Sequence, residues 1–229
     1  METSPLRVPL SLDLNLTTVE VEVTGGCFRH GGHVVPLSSL EILARAPRKV
    51  FCLSAWELSR GVPARELAWE PLEIFSGHHY QLVPTEEAPT VEIDGVQMHR
   101  TSGVGPFHSA RLAAEAVVRP GDRVLDTCGG LGYTAIQAAR LGASEVLSTE
   151  MDDGVLQLRR RNPWSRLESG CRIRLVEEDV FAHLAKIPPA AFDSVIHDPP
   201  RYSVAPDLYS EPFYLRLREL LGSGGRLFH

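Results

Sequence analysis

Long apolar runs are missing from this 229-residue chain. Its hydrophobic stretches fall far short of the roughly 18 residues a membrane helix needs, so no span across a bilayer is expected. The start offers no secretory core, because Pro5, Arg7, Pro9 and Asp13 interrupt it. Cysteine is scarce: Cys27, Cys52, Cys128 and Cys171 are scattered, without a Cys-x-x-Cys pair or metal-ligand spacing. No disulfide framework and no metal site are expected, and a reduced, cytoplasmic setting fits. Positive charge is not in excess, since 23 Lys and Arg stand against 29 Asp and Glu, a net charge of −6. That balance argues against a surface coated for nonspecific nucleic-acid binding, though not against a local basic patch. What is present is an ordinary globular composition, 43% hydrophobic and 23% charged, sized for one large domain or two modest ones.

The two halves read differently. Up to about residue 100, turn residues separate short strands. Val19, Val21 and Val23 alternate with Glu20 and Glu22, the period of a strand with one wet face. A hairpin is predicted around Gly31-Gly32, and Ser38 with Glu41 reads as a capping box opening a short helix. Further strands are predicted at 49–53, 80–83 and 91–98, the last broken at Asp94-Gly95. Residues 1–100 are therefore expected to form a small α+β accessory domain.

Residues 101–229 switch to strict alternation. Strands are predicted at 123–127, 145–150, 172–176, 192–197 and 226–229. Helices lie between them, including 134–141 closed by Gly142 and 213–221 opened near Ser210. Such alternation means an α/β domain, a doubly wound, mostly parallel sheet covered on both faces. Ligands on these sheets sit beyond the carboxyl ends of the strands, so the informative residues should follow strands.

They do. The segment Val124-Leu125-Asp126-Thr127-Cys128-Gly129-Gly130-Leu131-Gly132-Tyr133-Thr134 runs from a buried strand through a glycine-rich turn into a helix. Glycines there let backbone approach a ligand, and the helix start favours negative charge. Alone the turn is weak, since tight strand-to-helix turns use glycine for geometry. Three acids in register strengthen it: Asp126 ends the first strand, Glu150 the second, and Asp179 follows the third. The bland alternative for Glu150 is a solvated charge capping the next helix. The loop does not match the G-x-G-x-x-G spacing of dinucleotide sites.

On these residues the segment resembles class I S-adenosylmethionine-dependent methyltransferases, Rossmann-like enzymes. The resemblance implies that Asp126, Cys128, Gly130, Gly132 and Tyr133 line the cofactor's methionine and ribose side. It also implies that Glu150 holds the ribose hydroxyls and that Asp179 contacts the adenine amino group. Cys128 departs from the pattern by replacing the usual first glycine; a small thiol is compatible with the loop, and a reactive role is the lesser reading. Residues Glu92–Arg100, Leu125–Cys128 and Asn162–Ser165 together resemble an archaeal-type group of methyltransferases.

After the fourth strand comes His197-Asp198-Pro199-Pro200-Arg201-Tyr202. The prolines fix φ and lack N–H groups, which leaves a rigid wall of carbonyl acceptors suited to an NH₂ group. This resembles the Asp-Pro-Pro motif of amino and RNA methyltransferases and implies that Asp198, Pro199 and Pro200 orient the acceptor. Arg201 departs from the family by standing where an aromatic residue is usual, with Tyr202 next. A plain strand-terminating turn is the alternative. His99, Arg100, Arg201 and Tyr202 are assigned to the acceptor side, against an ordinary surface role for the first two. The arginine-rich stretch holding Arg159, Arg160, Arg161 and Arg166 is a candidate RNA phosphate face, or equally a solvated helix end favoured by the helix dipole. Trp164 either stacks on adenine or plugs the sheet edge.

The sequence thus points to a methyltransferase acting on an RNA nitrogen, with S-adenosylmethionine as cofactor. An aminopropyl transferase of the polyamine-synthase type and a non-catalytic cofactor-binding module are the alternatives. Class I methyltransferases carry two more strands after the fifth, so a truncated chain is expected, or an edge covered by the N-terminal half or by a second subunit in an oligomer.

Overall fold

The computed structural model describes residues 6–30, 33–53, 69–166 and 172–229. The Gly31-Gly32 turn, Glu168 and Cys171 fall outside the described residues.

Among the described residues, the N-terminal half holds three small antiparallel sheets. Strands β1 (Leu6–Leu10), β2 (Val19–Thr24), β3 (Cys27–His30) and β4 (His33–Pro36) form a meander around Val21, Phe28 and Val35. The predicted capping box is not made. The segment opens as a 3-10 turn, Leu37–Leu40, and no side chain caps α1 (Glu41–Arg45). Strands β5 (Phe51–Leu53) and β6 (Trp69–Pro71) pair with each other. Strands β7 (Glu73–Ser76), β8 (His78–Val83), β9 (Thr90–Ile93) and β10 (Val96–Gln97) complete a second four-stranded sheet. As predicted, a turn at Asp94-Gly95 breaks the last pair, with both residues at positive φ.

The C-terminal half runs α2 (Pro106–Val117), β11 (Arg123–Asp126), α3 (Tyr133–Arg140), β12 (Glu145–Thr149), α4 (Asp153–Arg161) and β13 (Arg172–Val176). It continues with α5 (Val180–Leu184), β14 (Phe192–Ile196), α6 (Glu211–Leu220) and β15 (Leu221–Phe228). All five strands are parallel, in the order β13-β12-β11-β14-β15. Alternation along the strands builds two cores. Val124 and Val146 face α2 and α3 with Ala114, Ala135 and Ala138; Leu125, Leu147 and Val195 face α5 and α6 with Leu184, Phe213 and Leu217. Each such large side chain contributes roughly 1.5–3 kcal/mol on burial. Gly142 at φ +91 and Ser210, which accepts from the Phe213 amide, end and begin the helices as the sequence indicates. β15 begins at Leu221, five residues earlier than expected, directly after α6.

The two halves share a core. Tyr80, Leu82 and Val91 pack with Phe107, Tyr133, Ile136, Val155, Leu158 and Trp164. The Tyr80 hydroxyl donates to Asp152 (3.0 Å), and the Cβ absent from Gly154 would collide with the Tyr80 ring at 2.5 Å. Residues 73–98 are thus built onto the helices that flank the large sheet. Among the described residues no helix is long and apolar enough to cross a membrane.

Candidate functional site

The chain moves outward from β11 to β12 and β13, then returns to the other side of β11 as β14. That reversal makes the carboxyl ends of β11 and β14 a topological switch point, the place where ligands sit on such sheets. The turn after β11 is tightly tied: the Gly129 amide donates to the Thr149 carbonyl (2.7 Å) and the Gly132 amide to the Gly129 carbonyl (2.6 Å). Gly130 (φ +48) and Gly132 (φ +85) adopt left-handed conformations that L side chains resist. A Cβ on Gly129 would stand 2.1 Å from Ser148 Oγ, and one on Gly132 2.6 Å from the Arg159 guanidinium.

Asp126 lies beneath this turn, 1% exposed. Ser148 Oγ donates to its Oδ2 (2.8 Å), while Oδ1 is buried without a partner. Burial pushes the carboxyl up to about 6, against the pull of Ser148, Thr134 and Arg159. A buried carboxylate oxygen without a partner is an acceptor that the fold itself leaves unsatisfied.

Glu150 does not cap the following helix; Asp152 does, accepting from the Val155 amide. Glu150 Oε2 instead accepts from the Gly130 amide (2.9 Å), and Oε1 from the Met151 and Asp152 amides (2.8 and 2.9 Å). Burial raises its pKa, and these bonds oppose the rise. With about four lone-pair sites on a carboxylate and three taken, one hydroxyl can be added without displacing a backbone bond. Asp179 caps α5 through the Ala182 amide (2.9 Å), beyond the carboxyl end of β13. Cys128 sits among Glu150, Asp126 and Asp198, and burial together with these acids pushes its thiol well above the usual range. A thiol so placed favours its protonated form.

Asp198 opens the loop after β14. It is exposed on one side and walled by protein on the other, which pushes its carboxyl up while His229 pulls it down. The Pro200 carbonyl already accepts from the Tyr209 hydroxyl (2.7 Å), so the acceptor wall is partly occupied by the chain itself. Arg201 and Tyr202 are exposed, and Tyr202 meets Tyr209 edge-on at 5.6 Å. His197, which the sequence marks only as a strand end, is fully buried. Its Nδ1 meets Thr127 Oγ1 at 2.7 Å and its Nε2 the Leu208 carbonyl at 2.9 Å. Burial holds it down to about 4, so the neutral ring pins the loops after β11 and β14 together.

Three sequence assignments take different places, those of Tyr133, His99 and Arg159, and the two alternatives for Trp164 are separated. The Tyr133 side chain faces the shared core, donating to the Pro89 carbonyl (2.9 Å) and accepting from Asn162 (2.8 Å), so only its backbone belongs to the loop. His99 packs against Tyr133 (5.5 Å between centroids) and contacts Thr90 Oγ1 at 3.0 Å; burial lowers its pKa to about 4. Trp164 is a plug: it is buried against Phe107 and donates to the Leu14 carbonyl. Arg159 is half-buried: it lines the same cleft as Arg160 and Arg166, while its Nη1 turns inward to donate to the Gly130 carbonyl (3.2 Å). Arg100, Arg160, Arg161 and Arg166 are exposed. Arg160 pairs with Glu177 (2.7 Å) and lines, with Arg166, a cleft of about 410 Å³ beside α4.

No family model matches the chain. It is 46% identical over 157 residues to an uncharacterized protein of Methanocaldococcus jannaschii, covering 68% of this chain and 54% of that protein. It is 34% identical over 143 residues to polyamine aminopropyltransferase 2 of Streptomyces coelicolor (59% and 26% covered). It is 30% identical over 126 residues to the ribosomal protein L11 methyltransferase of Geobacter sulfurreducens (52% and 40% covered). The chain thus spans about half or less of the length of these curated relatives. Among solved structures, a spermidine synthase in complex with the transition state analogue AdoDATO superposes with a TM-score of 0.53 at 18% identity. That match covers 69% of this chain and 58% of that one. A probable spermidine synthase from Corynebacterium glutamicum gives 0.51 at 17%, covering 67% and 61%. At such identities the likeness is one of fold.

Proposed function

On the Rossmann-like class I methyltransferase fold that the strand order and these likenesses establish, we propose an S-adenosylmethionine-dependent transferase that methylates a nitrogen of RNA. The observation that carries the reading is the bare Oδ1 of buried Asp126 beneath a left-handed glycine turn at the switch point. These residues fit the donor. Asp126 takes its ammonium group, the remaining lone pair of Glu150 a ribose hydroxyl, and the Gly130–Gly132 backbone lies close because no side chain intervenes. Asp179, at the rim, faces the base. When bound, S-adenosylmethionine supplies an electrophilic methyl carbon on a sulfonium.

This chain's own contribution is alignment, which can supply a large part of the barrier reduction for methyl transfer. Asp198 accepts a hydrogen bond from the acceptor NH₂ and aims its lone pair. With a carboxyl already pushed up, it can also receive the proton that the nitrogen sheds. The Pro199 and Pro200 carbonyls provide the second acceptor wall, and exposed Arg201 and Tyr202 stand at its mouth. RNA phosphates are assigned to Arg160, Arg161 and Arg166, without Arg159. Labelling total RNA with methyl-labelled donor tests the reading: label should become soluble on nuclease treatment. Label that resists nuclease and yields to protease overturns the RNA assignment.

A second reading is aminopropyl transfer. It is supported by the Streptomyces relative and by three carboxylates, Asp126, Glu150 and Asp198, around one switch point, a charge balance that suits a donor lacking its carboxylate. Calorimetric titration with S-adenosylmethionine and with its decarboxylated form separates the two, the tighter ligand naming the donor.

A further inference from the structure

We propose that Arg159 is a positioning residue of the donor site. Its guanidinium, reaching from α4 under the Gly129–Gly132 turn, sets the shape of the turn and supplies the positive charge against which Asp126 and Glu150 face a cationic donor. The inference rests on the donor reading above.

Three observations carry it. First, Arg159 is separated from its neighbours in the arginine run. Arg160 and Arg161 are exposed, whereas Arg159 donates from Nη1 to the Gly130 carbonyl (3.2 Å). Second, the glycines are shaped to it. A Cβ on Gly132 would lie 2.6, 2.7 and 3.0 Å from Nη2, Cζ and Nε, and one on Gly129 would lie 3.1 Å from Nη1. Gly132 thus leaves the room this guanidinium fills and is also required by its positive φ, while at Gly129 the guanidinium is a second neighbour behind Ser148 Oγ, 2.1 Å from the same Cβ position. Third, burial lowers the Arg159 pKa, and the acids that oppose this are, in order of strength, Asp126, Glu150 and Glu177.

The groups acting on Asp126 come from every neighbouring element: Ser148 from β12, Thr134 from α3, Arg159 from α4 and Asp198 from the loop after β14. Of these, Arg159 alone is positive. Asp198 is negative and works against it. A buried carboxylate that has lost its only cation takes up a proton at higher pH. It is then a hydroxyl donor or a neutral acceptor at the atom that should receive an ammonium group. A guanidinium is the side chain for this place because its planar fork fills the space under the turn while staying charged at any working pH.

The test uses Arg159→Gln and Arg159→Lys in the full chain, with two readouts. The first is the ¹³C-detected titration of the Asp126 carboxyl in the ligand-free protein. The wild-type midpoint is expected at about 6, and Arg159→Gln should raise it by about one unit or more, with Arg159→Lys returning most of the difference. The second is calorimetric titration with S-adenosylhomocysteine across the neutral range. For a one-unit rise, the deficit of Arg159→Gln should be about fivefold near pH 6, about twofold near pH 7, and vanish as the pH is raised further and Asp126 ionises in both proteins. An unchanged midpoint in Arg159→Gln, or a loss of affinity equal at every pH with Lys no better than Gln, overturns the proposal. If Arg159→Gln fails to fold, Arg159→Lys still decides, because a kept charge must hold the midpoint near that of the wild type. A midpoint that moves as expected in a protein that binds no S-adenosylhomocysteine at any pH overturns the donor reading, while leaving the Arg159–Asp126 coupling supported.

Discussion

Replacing Asp126 with asparagine should make the ligand-free protein more stable while removing its affinity for the donor. In the native fold the carboxyl is 1% exposed and titrates at about 6, against an ordinary value of 3.8. A folded-state pKa above the unfolded one means that the folded chain binds the proton more tightly. Stability is therefore full below about pH 4 and falls as the pH rises through about 6. The shift of about two units corresponds to about 3 kcal/mol of lost stability at pH 7 and above. The substituted asparagine carries no charge to bury, and its carbonyl can still accept from Ser148 Oγ. One atom without a partner is exchanged for another, so that cost is common to both proteins. Urea unfolding of the two chains across pH 4–8 reads the difference directly. Asp126→Asn should be about 2–3 kcal/mol more stable at the alkaline end and indistinguishable from wild type at the acid end. A variant that is equally stable, or less stable, throughout would refute the account of Asp126 as a buried, ionised and under-satisfied group.

Other consequences separate the parts of the site. Glu150→Ala should weaken donor binding by about 1.5–3 kcal/mol in calorimetry, whereas Asp198→Ala should bind the donor nearly normally and lose turnover. Equal behaviour of the two would merge roles that are held apart here. Tyr133→Phe removes a bond to the Pro89 carbonyl and one of the two acceptors of Asn162 Nδ2, which keeps Ser165 Oγ, so it should cost about 1–2 kcal/mol in chemical unfolding. A silent substitution would mean that the halves are not coupled there. Gly132→Ala must place a side chain at φ +85 against the Arg159 guanidinium, so a thermal melt should show a loss of about 1–2 kcal/mol from the backbone alone.

Much of the sheet domain was legible because its signals are local. Val124 and Leu125 alternate between two helical layers, Gly142 closes α3, and Ser210 opens α6, each by chemistry visible within a few residues. The small sheets were less legible. β7 carries Glu73 and exposed Phe75 on a short edge, a pattern that no burial period reveals, and β1 is broken by Arg7 and Pro9. The shared core was invisible for a different reason: Tyr80, Phe107 and Trp164 are far apart in sequence, and only the fold shows that they meet. At the site, Asp126, Glu150 and Asp198 could be found because each follows a strand of one parallel sheet. Arg159 could not, since three consecutive arginines look alike until one is seen to fit under glycine. Ser148, Thr127 and His197 were missed because a small polar residue or histidine at a strand end has no pattern of its own, although together they hold Asp126 and join the loops after β11 and β14.

The central claim is that a donor cation is received by Asp126 at the β11–β14 switch point. A crystal structure of the protein with S-adenosylhomocysteine tests it most directly. The account predicts the ligand's ammonium group on Asp126 Oδ1 and a ribose hydroxyl on Glu150, with the glycine turn against its backbone-facing side. A ligand seated elsewhere, for example in the Arg160–Arg166 cleft, with Oδ1 of Asp126 still bare, would contradict it.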